Sequence, residues 1–350
     1  MEQQNGPLPE EYKEVSHEDP AGPAALPAET EGAAFTYPPK YEKEDQQANI
    51  WTRSIISLAA YLVLGFYVFN SYKILFLITA IVMIHELGHF IAMKAFRYND
   101  LGIFFIPLLG AYVSGNKREV SQRQSAIILL AGPIPGIIIG GIIYFYWLAD
   151  PFSFLFGIST YTVSIAFLFL NLINLLPVYP LDGGQLLNRV FLDEESWLSR
   201  LFIFLSIGAL VWIALFAFPR PSYILLFFPA MMLLRMLGEK RFTNIEKKIE
   251  EEGINTDVEY ADLPDEDYWK IRNILIAEHP AFKDIPPAPP FEYHEKEERI
   301  MTMIHGLLHR HLIQDVSVMG KIIIFLVWAA AISSPWWLNM DMSFLKRFGL

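Results

Sequence analysis

The stretch IVMIHELGHFIAM, residues 81–93, decides how the rest of the chain is read. It is apolar except for His85, Glu86 and His89, and it lies within a longer apolar run, Ile74–Ala92. Such a run approaches the ~20 residues that cross a bilayer. An ionisable group inside a span costs ~2.5–3.5 kcal/mol or more, so three of them close together need a shared compensator. In a helix, residues i and i+4 share one face. His85 and His89 can therefore converge on one divalent cation, with Glu86 beside them in reach of a water on it. The alternative is a polar helix face inside a bundle, or a proton relay. It leaves both the spacing and the adjacent glutamate as coincidence.

The surrounding composition supplies the membrane setting. The 350 residues are 53% hydrophobic and 19% charged, against roughly 45–50% and 25% in soluble domains. Candidate spans are Ser54–Phe69, Ile74–Ala92, Ser125–Leu148, Phe154–Leu176, Leu198–Phe218, Ser222–Leu237 and Met319–Leu338. Between the second and third lies LGIFFIPLLGAYVSG, residues 101–115, short and punctuated by Gly102, Pro107 and Gly110. A re-entrant or interfacial loop suits it better than a crossing. The fold expected is an all-α polytopic membrane protein with about six to seven transmembrane helices and that short re-entrant loop. Basic residues gather at Met93–Gln124 and after the sixth span, while Asn70–Lys73 and Ala149–Ser153 hold almost none. The positive-inside rule then places the basic loops, the N-terminal tail and the metal-bearing end of the second span in the cytosol.

The flanks differ in kind. Residues 1–50 hold eleven acids, three lysines and seven prolines, which reads as a disordered acidic tail rather than a signal peptide. Residues 51–238 form the membrane core, 239–317 a charged segment of helices and linkers, and 318–350 a final span with a short tail. Within the charged segment, IEKKIEEEG predicts a helix stopped by Gly253. DEDYWKIRNILIAEHP predicts an amphipathic helix ended by Pro280, and IPPAPP an extended linker. His305, His309 and His311 lack a glutamate in the register of Glu86 and read as a solvated helix face. A net charge of −11 speaks against a nucleic-acid partner. The absence of cysteine excludes disulfides, thiolate nucleophiles and cysteine-ligated zinc.

A catalytic zinc takes three protein ligands and a water. Few acids lie in apolar surroundings here: Glu86 itself, and Asp182 in NLINLLPVYPLDGG. Pro177 and Pro180 break the fourth span beside it, and freed backbone at membrane depth must line protein or water. The topology puts Asp182 at a depth similar to that of the histidines. Asp-Gly-Gly read alone is an ordinary turn, so ligand and turn both stand.

Taken together, HELGH at 85–89 and NLLPVYPLDGG at 174–184 resemble the site-2 proteases, intramembrane zinc metalloproteases with the paired pattern N-x-x-P-x-x-P-x-D-G. The likeness covers Ile74 to Leu187, about a third of the chain. It implies one zinc ion held by His85, His89 and Asp182, Glu86 as general base, and Asn174 as a side chain that polarises the scissile carbonyl. Asn171, one turn earlier, reads as structural. The chain departs from the family at Gly132-Pro133-Ile134-Pro135-Gly136, where many members carry G-P-x-x-N. Gly132, Gly136 and Gly140 instead form a small-residue stripe suited to close helix packing. No PDZ-like or CBS-like module is evident.

The resemblance implies a metalloendopeptidase acting on a single-span membrane protein in regulated intramembrane proteolysis, in the bilayer of a bacterial cytoplasmic membrane. Two other functions use the same residues. A non-catalytic scaffold would keep the fold without the reaction, although scaffolds commonly lose the glutamate or a ligand. A membrane metal transporter would need several polar sites along a path, and one cluster is present.

Overall fold

The computed structural model describes residues 37–42, 50–107, 110–117, 120–192, 196–217, 220–308 and 312–340. Most of the tail expected to be disordered, and His309 and His311, lie outside these residues. The elements below all belong to one unit, Pro38–Leu350.

Helices dominate. Among the described residues, four helical stretches are long and apolar enough to cross a membrane: α1 (Ile50–Phe69), α2 (Tyr72–Ala95), the pair α3 (Gln122–Ala131) and α4 (Pro133–Ala149), and α7 (Trp197–Phe216). Shorter apolar helices are α5 (Thr160–Asn174), the first half of α8 (Phe227–Glu251), and α11 (Val318–Ile332). At 15 residues, α5 spans only about 22 Å, against a hydrocarbon core of ~30 Å. It starts later than the apolar run suggests. Phe154–Leu155 (β4) and Ile158–Ser159 (β5) fold into a small hairpin instead. Phe156 and Gly157 turn it with positive φ.

Outer faces are apolar, as lipid requires: Ile55, Ile56, Val63 and Tyr67 on α1, and Ile323 and Leu326 on α11, are exposed. Inner contacts use small and hydroxylated residues, among them Ser54, Thr79, Ser125, Gly136, Gly140 and Ser164. This is the packing of membrane helices, where small residues let backbones approach. Along the α4–α5 seam, Ser164 Oγ donates to Gly140 O at 2.8 Å.

The expected re-entrant loop is a β-hairpin. β1 (Asn99–Ile106) pairs antiparallel with β2 (Gly110–Asn116), with Ile103 opposite Val113 and Phe104 opposite Tyr112. Aromatic and β-branched residues favour this pleated form. Gly110, with φ of +114°, ends the turn. The hairpin lies between α1 and α2, with Phe105 buried against Tyr61.

α8 runs unbroken through the 238/239 boundary and stops before Gly253, whose φ is +69°. Beyond it, α9 (Asp265–Glu278) and α10 (Glu297–Leu307) pack together as a polar lobe. The lobe is centred on Arg272 and Glu297, both almost fully buried, with their ion pair at 2.7 Å. A short parallel pairing of β3 (Val120–Ser121) with β6 (Leu312–Ile313) joins the lobe's exit to the start of α3.

Candidate metal centre

His85 and His89 lie on the buried face of α2, and Glu86 is buried with them. Asp182 is the first residue of α6 (Asp182–Leu187) and reaches them from a loop that leaves α5 at Leu175. Proline at 177 and 180 prevents α5 from continuing. Side chains on and around the loop help to fix it. Tyr179 N donates to Ser206 Oγ of α7 at 3.1 Å, Gln185 Nε2 to Pro180 O at 2.8 Å, and Trp328 Nε1 of α11 to Leu175 O at 2.9 Å. A Cβ on Gly183 would sit 2.0 Å from Leu175 O, so only glycine lets the first turn of α6 fold back on the end of α5. Asp-Gly-Gly is thus the first turn of a helix rather than an ordinary turn, and that start delivers Asp182.

The delivered atom completes a triangle. Asp182 Oδ2 lies 3.0 Å from His85 Nε2 and 3.3 Å from His89 Nε2, and the two Nε2 atoms are 3.1 Å apart. The other ring nitrogens settle the tautomers. Asn171 Nδ2 donates to Phe167 O at 2.7 Å, which leaves its Oδ1 facing His85 Nδ1 at 2.9 Å. Ile128 O faces His89 Nδ1 at 2.8 Å. Both partners are acceptors, so each Nδ1 carries the proton and each Nε2 presents a lone pair.

Three acceptor atoms therefore meet in a buried pocket with no donor among them, and Asp182 Oδ2 has no hydrogen-bond partner. A buried arrangement of that kind is strongly unfavourable unless a cation joins it. Tetrahedral zinc with bonds of ~2.0–2.1 Å sets its ligands about 3.3 Å apart, close to the observed edges. Two imidazoles, one carboxylate and an open fourth position is the donor set of a catalytic zinc. Among the described residues no other trio of His, Cys, Asp or Glu converges in this way.

The small-residue stripe of α4 seats these groups. A Cβ on Gly132 would lie 2.2 Å from His89 Nε2, and one on Gly136 would lie 2.1 Å from Asn171 Nδ2. The space above residue 136 is filled by the Asn171 amide. Asn171 is thus the residue under-read from sequence. The signal was its register: Thr160, Val163, Ser164, Phe167, Leu168 and Asn171 form the buried face of α5. Asn174, its last residue, is only half-buried and turns its amide back on Leu170 O at 3.1 Å. The Glu86 carboxyl lies in reach of the Val113 backbone in β2. His305 stacks on Tyr260 in the polar lobe, with centroids 4.4 Å apart.

Fold and site together define an integral membrane protein, helical and multi-pass, with a buried His-His-Asp centre suited to zinc. Residues 73–154 match the profile of Peptidase family M50, the family of the site-2 proteases. The matched stretch contains His85–His89 and ends before Asp182. Stage IV sporulation protein FB of Bacillus subtilis is 31% identical over 124 residues, 34% of this chain and 40% of that protein. A zinc metalloprotease of Methanocaldococcus jannaschii is 26% identical over 156 residues, 42% of this chain and 43% of that protein. The chain thus spans about two fifths of the length of these relatives. Among solved structures, a site-2 protease from Methanocaldococcus jannaschii aligns with a TM-score of 0.37 and 21% identity, covering 52% of this chain and 84% of that one.

Proposed function

We propose that the chain is an intramembrane zinc metalloprotease, a metalloendopeptidase that hydrolyses a peptide bond in or near the transmembrane segment of a single-span membrane protein. The observation that carries this reading is the donor-free meeting of His85 Nε2, His89 Nε2 and Asp182 Oδ2 inside the bundle. Zinc held by these three residues would supply Lewis acidity and an acidified water. Glu86, next to His85 on α2, would serve as the general base, taking up a proton and returning it to the leaving amine. Asn174, whose amide donates to Leu170 O at 3.1 Å, would donate to the developing oxyanion instead. A substrate helix hides its carbonyls in i to i−4 bonds and has to unwind before attack. The open edge of the β1–β2 hairpin offers pairing to the unwound strand. We place the enzyme in a bacterial cytoplasmic membrane, with its N-terminal tail, its 239–317 segment and its catalytic side in the cytosol, serving regulated proteolysis.

The test combines metal content with cleavage of a single-span substrate in vesicles. Wild type binds one zinc per chain and cleaves. Glu86→Gln keeps the zinc and slows cleavage by about 10²–10⁴-fold, the usual worth of a general base. Cleavage that survives Glu86→Gln overturns the reading. Zinc flux without cleavage points to the transporter, and neither activity in a folded protein points to the scaffold.

A further inference from the structure

The polar lobe carries a groove that the membrane site does not use, and residues 38–42, PPKYE, lie in it without helix or strand structure. Pro38 and Pro39 have fixed φ and no N–H. A proline-rich segment is extended, and its carbonyls have no partners of their own. Here they meet aromatic donors. Trp269 Nε1 donates to Pro38 O at 2.9 Å, the Tyr293 hydroxyl to Pro39 O, and the Tyr260 hydroxyl to Tyr41 O at 2.5 Å. Trp269 and Tyr293 stand nearly parallel, centroids 5.7 Å apart, and Tyr41 meets Tyr293 edge-on at 5.4 Å.

Lys40 is read separately. Its N–H donates to Asp265 Oδ1 at 2.8 Å, its Nζ donates to Ala261 O at 2.6 Å and Leu263 O at 2.8 Å, and the ammonium sits 5.7 Å from the Tyr260 ring centroid. The groove floor is rigid, because Arg272 lies over Trp269 at 5.1 Å and is itself tied to Glu297. A segment placed only to fill a core would bury apolar side chains. Here Pro39 is exposed, and what the lobe recognises is a row of carbonyls held extended by the two prolines, together with one lysine. Indole and phenol donors on proline-segment carbonyls, with flat rings beneath them, are the chemistry of polyproline-II recognition.

We propose that the face made by Tyr260, Asp265, Trp269 and Tyr293 is a recognition site for extended Pro-Pro-Lys peptides, with residues 38–42 as its resident and exchangeable ligand. The resident is tethered through residues 43–49 to α1, so it competes at an effective concentration of about a millimolar. A free segment of the same chemistry displaces it by mass action.

The full chain in detergent tests this with the peptide TYPPKYE, the sequence of residues 36–42. Emptying the groove with Pro38→Ala, Pro39→Ala and Lys40→Ala yields a protein that binds labelled TYPPKYE at least about tenfold more tightly than wild type, where the resident competes. Adding Tyr293→Phe, which removes one hydrogen bond, weakens that binding about fivefold. A second measurement needs no emptied groove. The chain has no cysteine, so Glu42→Cys accepts a single fluorophore. Millimolar TYPPKYE then lowers its anisotropy, and TYAAKYE does not. Failure of the emptied variant to bind while its thermal transition is intact, equal binding of TYAAKYE, or an anisotropy indifferent to TYPPKYE each overturns the proposal. Should the emptied variant fail to fold, the anisotropy titration decides alone.

Discussion

Replacing Asn171 by leucine leaves the Nδ1–H of His85 buried against methyl groups, with no acceptor for its proton. A buried donor without a partner costs about 1–3 kcal/mol, and the ring is free to choose the tautomer that closes Nε2. Zinc affinity is expected to fall about 10–100-fold, measured by competition with a chromophoric chelator, with no substrate needed. Gly132→Ala tests the other histidine. The new methyl group would lie 2.2 Å from His89 Nε2, so the ring has to leave the triangle. Near-complete loss of bound zinc with helical circular dichroism retained is the expected result, and full zinc occupancy would show that α2 and α4 can separate. HELGH is legible because its meaning needs only the pitch of one helix. The partners of the histidines are not, because the meeting of Gly132 with His89 and of Asn171 with His85 depends on how α2, α4 and α5 cross. A list of small and polar residues does not state a crossing.

At the scale of elements, the α9–α10 pair owes its register to one buried network. Arg272 reaches both Glu297 oxygens, at 2.7 and 3.1 Å, while the Tyr268 hydroxyl donates to the same carboxylate at 2.6 Å. Burial first, and then this hydrogen bond to a carboxylate, hold the Tyr268 phenol above its ordinary range. Arg272→Ala strands a buried carboxylate and is expected to destabilise the lobe by about 3–5 kcal/mol. Arg272→Met with Glu297→Leu removes both charges and is expected to cost far less than the two single changes summed. Hydrogen exchange in α9 and α10 measures both, and additive costs would show that the pair is not coupled. The amphipathic pattern of DEDYWKIRNILIAE announces α9, but its arginine looks like any solvated charge until Glu297 of a later helix is placed against it. The hairpin is a similar case. Its length excludes a crossing and its residues favour strands, yet the pairing of Ile103 with Val113 follows from where the turn at Gly110 falls. At α5 the apolar run from Phe154 outlasts the helix, because hydropathy does not register a six-residue turn-back at Phe156-Gly157.

At the scale of the whole molecule, one carboxylate ties the exit of the polar lobe to the membrane body beside the β3–β6 pairing. Asp315 accepts from Ser121 Oγ at 2.5 Å and from Arg123 N at 3.2 Å, across 194 and 192 residues of chain. α11 begins three residues later at Val318, and its Trp328 holds Leu175 O at the loop that delivers Asp182. The joint therefore braces the metal centre from a distance. Burial alone would raise the Asp315 carboxyl; the hydrogen bonds from Ser121 and Arg123 outweigh it and hold the carboxyl below its ordinary value. A carboxyl depressed by folding contributes stability above its unfolded pKa, about 3.9, and that contribution is lost as pH falls through the lower folded value. Because Asp315 is exposed, its worth is about 1 kcal/mol at most. Acidification from pH 5 into that window is expected to speed hydrogen exchange at Leu312–Val316 and in the first turn of α11 before it affects α9 and α10. Asp315→Asn is expected to show the faster exchange already at pH 5 and to flatten the pH response of this joint. A wild-type joint equally protected at pH 5 and well below the ordinary carboxylate range would mean that β3–β6 pairing alone carries it, and that α11 is braced from the bilayer side instead.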